Sequence, residues 1–110
     1  MSGGGGSGDI GPSGPSADLD CARLTFETQL ASPDAAVVGT LTVADVLAIE
    51  LQVAESGRRV IAAVASDGRV AGAITSHTAD LVRCIQEGFA YMAEVTAIDG
   101  GWVDVRVRPA

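Results

Sequence analysis

Two glycine-containing tight turns constrain this chain more than any other feature of its sequence. Asp67-Gly68 and Asp99-Gly100-Gly101 are each flanked by runs rich in β-branched residues, and this pattern is typical of β-hairpins. A two-residue turn fixes which strands pair and in which register. The stretch Arg59–Arg108 therefore predicts two hairpins, one on each side of a short connecting segment.

The segment between the hairpins predicts one short helix. Residues 78–87 place apolar side chains at helical spacing, so one face can be buried while polar residues face away. Thr75 or Ser76 is positioned to cap the start, and Gly88 follows where a left-handed residue commonly ends a helix. We expect a helix near residues 76–88, packed against one end of a sheet or barrel.

Alternating apolar and polar residues predict further strands before and after the helix. Residues 21–30 and 46–55 alternate, although the start of the second run, from Ala44 to Ala48, could also be helical. Ser56-Gly57 is a turn that leads into the first hairpin, which makes a three-stranded meander. Residues 89–98 and 102–108 alternate again.

A single helical turn or a compact loop is expected between the first two strands. Ser32-Pro33-Asp34 combines a residue that commonly caps helices, a proline at the first helical position and an acid in the first turn. Gly39 follows at a position suited to ending the turn. The expected bounds are residues 33–38.

The order of elements predicts the fold class and the domain organisation. Short antiparallel strands with one late helix favour an all-β (β-rich α+β) fold, in which five to six strands curl into a small OB-like barrel. Residues 1–18 are almost entirely Gly, Ser and Pro, a composition typical of a disordered tail. Residues 19–110 are expected to form one domain with a tightly packed core of small residues.

The charge balance argues against general binding to polyanions. The chain has fourteen acidic residues against seven arginines and no lysine, which gives a net charge of -7. Arg58 and Arg59 with Arg69, or Arg106 with Arg108, could still form small basic patches. Solvated charges on strand faces are the more ordinary interpretation.

The cysteines and the hydropathy pattern predict a cytoplasmic protein. Cys21 and Cys84 have neither the CxxC spacing nor the nearby histidines of a metal or redox site, so we expect two buried, reduced thiols. No apolar run is long enough to span a membrane, and the N-terminal residues do not match a signal peptide. Neither a metal nor another cofactor is predicted.

No residue pattern in the chain predicts catalysis. His77 and Asp80 could be imagined as an acid–base pair, but an exposed histidine in the first turn of a helix is the simpler interpretation. Gly68, Gly72 and the Gly100-Gly101 pair do not precede a helix as a phosphate loop requires, and turn geometry explains them better. We therefore expect that the protein is not an enzyme.

Several segments share a characteristic pattern of glycines and apolar spacing. They are Val37-Val38-Gly39, residues 60–64 (VIAAV), residues 67–74 (DGRVAGAI), the helix through Ala79 and Leu81, and residues 88–95 (GFAYMAEV). Together they resemble the HIRAN domain family. The similarity spans about residues 37–107. It implies a modified OB-like barrel, and better-known members of that family bind the ends of single-stranded DNA.

The outward face of the last strand is the best candidate for a binding surface. By alternation, Trp102 shares that face with Arg106 and Arg108, unless Trp102 is instead part of the core. Aromatic and arginine side chains favour protein contacts, so the leading hypothesis is a non-catalytic accessory module that binds a partner protein or itself. The alternative is a HIRAN-like or OB-like binder of single-stranded nucleic-acid ends, with bases stacked on Trp102 and Tyr91. The full candidate set is Trp102, Arg106, Arg108, Arg58, Arg69 and Tyr91.

Overall fold

The computed structural model describes residues 20–110, so the predicted tail at residues 1–18 lies outside the described residues. The described chain is mainly antiparallel β-structure with two short helices. In chain order the elements are β1 (Phe26–Gln29), α1 (Ala35–Val38), β2 (Val46–Val53), β3 (Arg59–Val64), β4 (Val70–Ile74), α2 (Thr78–Gln86), β5 (Tyr91–Asp99) and β6 (Trp102–Pro109). The six strands form one curled sheet in the order β1-β6-β5-β2-β3-β4. This confirms the predicted small all-β, OB-like class.

Both predicted hairpin turns are confirmed. Gly68 adopts a φ of 89° and donates its N–H to the Ala65 carbonyl at 2.9 Å, which closes the turn between β3 and β4. At the second hairpin Asp99 lies directly opposite Trp102, and Gly100 has a φ of 63°. Positive φ costs glycine no steric strain, so the turn residues determine these two registers.

The predicted end of α2 is confirmed. Gly88 has a φ of 102°, its N–H donates to the Ile85 carbonyl at 3.0 Å, and the Phe89 N–H donates to the Cys84 carbonyl at 3.0 Å. This pair of hydrogen bonds is the Schellman arrangement, which satisfies carbonyl groups that the helix itself leaves unpaired. The helix therefore stops at the glycine that the sequence indicated.

Helix α2 begins at Thr78, where the helical spacing was predicted to start, but the predicted N-cap is wrong. His77, and neither Thr75 nor Ser76, is the N-cap residue, with a left-handed φ of 56° and no capping hydrogen bond from its side chain. The Ser76 hydroxyl instead lies 3.0 Å from the hydroxyl of Thr28 in β1. The Ser76 hydroxyl, which local sequence rules assign to the helix cap, therefore makes a tertiary contact instead.

The first strand is shorter than predicted, and the first helix has a different cap. Residues 20–23 form a turn in which the Asp20 carboxylate accepts the Ala22 N–H at 3.0 Å, so β1 begins only at residue 26. The predicted helical turn is present, but Asp34 rather than Ser32 caps it, accepting the N–H of Ala36 at 2.9 Å and of Val37 at 3.2 Å. Asp is a strong cap wherever its backbone is extended, as it is here.

The start of β2 is a strand and not a helix. Asp45 closes a turn by accepting the Thr42 N–H at 2.9 Å, and the Ala44 N–H donates to the Val95 carbonyl of β5 at 2.8 Å. The strand then begins at Val46, opposite Glu94. Pairing with β5 overrides the helical tendency of alanine and leucine in this segment.

The core consists mainly of small aliphatic residues, as the composition predicted. Val103, Val105 and Val107 of β6 are fully buried, which confirms the predicted alternation on that strand. Leu81 and Cys84 of α2 are also fully buried, so the helix presents its apolar stripe to the barrel interior. Because small side chains fill this space closely, adding or removing even one methyl group should change the stability of the fold.

The two edges of the sheet meet at a seam formed by residues 30–34. The N–H and carbonyl groups of Ala31, just after β1, pair with those of Ala73 in β4 at 2.8 and 2.9 Å. The Asp34 N–H adds a bond of 2.9 Å to the Ala71 carbonyl. At this seam the backbone at residues 30–31 lies so close to β4 that a Cβ atom at Gly72 would be 3.0 Å from the Ala31 carbonyl oxygen. Gly72 is therefore required by packing, and the turn geometry expected for it is wrong.

A disulfide joins Cys21 to Cys84, so the prediction of two reduced thiols is wrong. The cysteines are 63 residues apart in sequence, with Cα atoms separated by 5.6 Å. The bond attaches the turn at residues 20–23 to the buried side of α2. No local pattern signals this pairing, because only the folded barrel brings the two residues together.

We predict that Gly72→Ala destabilises the seam. The added methyl group would force the chain at residues 30–31 away from β4, at a cost of about 1–3 kcal/mol in the free energy of unfolding. Gly101→Ala is the matched control, because a Cβ atom there meets nothing within 4 Å. Urea unfolding of both variants checks this, and equal stabilities would contradict the role assigned to Gly72.

We predict that loss of the disulfide lowers stability by about 4 kcal/mol, the chain-entropy value for a loop of this length. The double variant Cys21→Ala/Cys84→Ala should show this loss in chemical denaturation. A thiol reductant should bring the unmodified protein down to the same stability and leave the variant unchanged. An unmodified protein that is insensitive to reductant, with two titratable thiols, would contradict the pairing.

Candidate functional site

Trp102 is an exposed side chain at the tip of the β5–β6 hairpin. Its side chain is 62% exposed, whereas the neighbouring Val103 is fully buried. The interpretation of Trp102 as a core residue is therefore wrong. An exposed tryptophan leaves a large apolar ring in contact with water, an arrangement that partner binding would relieve.

The arginines that share this strand face are already paired with acids. Arg106 lies 3.1 Å from the carboxylate of Glu27 on β1, and Arg108 lies 3.6 Å from that of Glu94 on β5. Strand register produces the first pair, because Arg106 lies directly opposite Glu27. Arg108 lies opposite Met92 and reaches Glu94, two residues further along β5, diagonally. The predicted basic patch of Arg106 and Arg108 is therefore neutralised.

The immediate surroundings of Trp102 are acidic. Asp99 lies opposite Trp102 in the register, and Asp104 lies two residues further along the same face. Asp104 is held by Gln29, whose side-chain amide donates to it at 3.2 Å. We call Trp102, Asp99 and Asp104 the Trp102 face; it combines an exposed aromatic ring with two carboxylates.

Tyr91, another predicted binding residue, is buried. It is 3% exposed, and its hydroxyl donates a hydrogen bond to the carbonyl oxygen of Cys21. Burial raises the pKa of the Tyr91 phenol, because the phenolate would lose its hydration. The expectation that Tyr91 stacks bases on an open surface is therefore wrong; this side chain supports the disulfide-linked turn.

The predicted patch of Arg58, Arg59 and Arg69 is split between opposite ends of the β3–β4 hairpin. Arg69 follows the turn and pairs with Asp67 at 2.8 Å, while Arg58 and Arg59 lie at the start of β3. The backbone N–H of Arg69, followed by its guanidinium group, holds the pKa of Asp67 below its usual value. Arg69 thus belongs to the turn and adds nothing to a patch around Arg58.

His77 packs on an aromatic ring. Its imidazole lies 4.3 Å from the ring of Phe26, measured between centroids, with the two planes tilted by 30°. This contact joins the start of α2 to β1 alongside the bond between Ser76 and Thr28. It supports a packing role for His77 over the acid–base role with Asp80.

An open cleft, which the sequence did not indicate, separates the start of β3 from α2. It has two adjoining lobes of about 520 and 490 Å³. Arg59, Thr78 and Val82 line both lobes, and Arg58 and Ser32 line the second. The lining residues come from three distant segments of the chain, so only the closed fold brings them together.

Comparisons with known proteins gave no relatives. No family model, curated protein or solved structure matches this chain. Within residues 20–110, no cluster of three or more His, Cys, Asp or Glu side chains is placed to hold a metal ion. In the same part of the chain, no helix has the length and apolar character needed to cross a membrane.

We predict that stability falls at alkaline pH because of Tyr91. The folded chain holds the phenolic proton more tightly than the unfolded chain, whose pKa is near 10.0. The resulting stability is complete below that pH and is lost as the pH rises through the higher pKa of the folded state. The chain has one tyrosine and no lysine, and both cysteines are bonded, so few other groups titrate in this range.

Phenolate absorbance against pH, combined with urea unfolding, measures this effect. Tyr91→Phe should lose about 1 kcal/mol at neutral pH, because the Cys21 carbonyl loses its donor. Its stability should then change little above about pH 10. A phenolate that forms in the folded protein at the pKa of free tyrosine would contradict the burial argument.

Proposed function

We propose that this chain is a non-catalytic interaction module that holds a protein partner at the Trp102 face. The main support for this function is the exposure of Trp102 on a strand whose neighbouring valines are fully buried. Tryptophan is the residue type most enriched among energetically dominant interface residues. A hairpin of two long strands joined by a two-residue turn holds the ring on a rigid support, so little ordering entropy is lost on binding.

The charge around the ring indicates which partner chemistry fits. Asp99 and Asp104 flank Trp102, so an arginine or lysine of the partner could contact the indole face and pair with a carboxylate at once. Arginine suits this arrangement best, because its planar guanidinium stacks on aromatic rings and matches carboxylate geometry. The partner surface is therefore expected to be basic.

The competing proposal is a HIRAN-like module that binds single-stranded nucleic-acid ends. The OB-like class of the fold is compatible with it. Of its expected contacts, however, Arg106 and Arg108 are paired with acids, and Tyr91 is buried. The carboxylates beside Trp102 would also repel phosphates. These contacts support a protein partner over nucleic acid.

The disulfide bears on the cellular compartment in which such a module would work. Disulfides persist in oxidising compartments and are uncommon in the reducing cytoplasm. The bond between Cys21 and Cys84 therefore supports an oxidising compartment in place of the predicted cytoplasmic one. Thiol counting on protein trapped with an alkylating reagent in its native cells would separate the two locations.

Trp102 is the single tryptophan of the chain, so its fluorescence reports directly on the proposed face. We predict that tetra-arginine produces a saturable change in its emission, as a cation over the ring should. The double variant Asp99→Asn/Asp104→Asn should bind tetra-arginine about fivefold more weakly, because both flanking charges are removed. Asparagine before glycine keeps the hairpin turn favourable.

The matched control is Glu50→Gln/Glu55→Gln, which changes net charge equally at a different place. Equal weakening in both double variants would show that only overall charge matters and would contradict the proposal. A tighter response to five-nucleotide oligothymidylate than to tetra-arginine would favour the nucleic-acid alternative. Light scattering of the protein alone tests whether a second copy of the chain is the partner.

A further inference from the structure

Arg58 and Arg59 differ from the other arginines of this acidic chain. Within residues 20–110, Arg23, Arg69, Arg83, Arg106 and Arg108 each lie within 4 Å of a carboxylate. In that same described part, Arg58 and Arg59 have neither an ion pair nor a side-chain hydrogen bond, although Glu55 lies only three residues before Arg58. Two adjacent unpaired cations are unusual where acids outnumber arginines two to one.

Both unpaired arginines line the cleft between the start of β3 and α2. Arg59 lies opposite Val53 in the β2–β3 register, in the last residue pair before the turn. Val60 and Val82, which both line the cleft, are half-buried. The cleft therefore combines cations at its rim with incompletely covered apolar side chains.

We propose that this cleft binds an acidic segment of a protein partner, with carboxylates at Arg58 and Arg59 and an apolar side chain over Val82. Charge complementarity identifies the occupant, because Arg58 and Arg59 are the two arginines within residues 20–110 that have no carboxylate within 4 Å. None of the residues that line the cleft is aromatic, so single-stranded nucleic acid would find phosphate contacts but no ring on which to stack. The site is separate from the Trp102 face and does not depend on it.

The test is a peptide titration that is monitored through the backbone amide chemical shifts of the protein. The probe is the blocked peptide Leu-Glu-Val-Glu-Leu, and the neutral control is Leu-Gln-Val-Gln-Leu. Salt near physiological strength screens the overall repulsion between two acidic chains. The acidic peptide should shift the amide signals of Arg59, Thr78 and Val82, and the neutral peptide should bind at least fivefold more weakly, roughly the effect of losing two exposed charge pairs.

Two charge-matched double variants complete the test. Arg58→Glu/Arg59→Glu should weaken binding of the acidic peptide about fivefold or more, whereas Arg23→Glu/Arg69→Glu should leave it within about twofold. If the first variant does not fold, Arg58→Gln/Arg59→Gln replaces it. Equal weakening in the two pairs, shifts confined to other surfaces, or no shift at all would overturn the proposal. Tighter binding of oligothymidylate than of the acidic peptide would overturn it in favour of nucleic acid.

Discussion

The backbone bridge between Ala31 and Ala73 is the interaction on which the rest of this structure depends. It joins the two edges of a six-stranded sheet, and without it β4 would present an open edge along its outer side. Gly72 allows this approach, because any side chain there would meet the opposing backbone. Closure also places β1 against α2 and forms the cleft beside Ser32.

Local rules predicted the parts of the fold that local forces determine. The turns at Gly68 and Gly100 and the end of α2 at Gly88 could be found from the sequence, because glycine meets a backbone requirement within a few residues. The N-cap of α2 and the pairing of Cys21 could not, because Ser76 bonds to Thr28 and Cys21 to Cys84, each far away in the chain. The extent of β1 was missed for a local reason, because the Asp20 carboxylate forms a turn with the Ala22 N–H inside an alternating segment.

The same division applies to the candidate sites. Alternation placed Trp102 and Arg106 on the outer face, but it could not show that Glu27 neutralises Arg106, because this pair depends on how β1 is placed against β6. The local charge of the protein surface therefore depends on which arginines and acids form ion pairs, and the net charge of the chain does not reveal it. Within residues 20–110, five of the seven arginines lie beside acids, whereas Arg58 and Arg59 at the cleft and Asp99 and Asp104 on the Trp102 face have no ion pair.

The disulfide also determines how a mechanical force would travel through the domain. A pull applied at residue 20 and at the C-terminus passes from Cys21 directly to Cys84 through the covalent bond. Residues 22–83, which include β1 to β4, are then bypassed and cannot be extended until the bond is reduced. The tension falls on the end of α2 and on the β5–β6 hairpin. A pull at the N-terminal side would thus act on the hairpin that carries Trp102 and, while the bond is intact, could not extend the chain between residues 22 and 83.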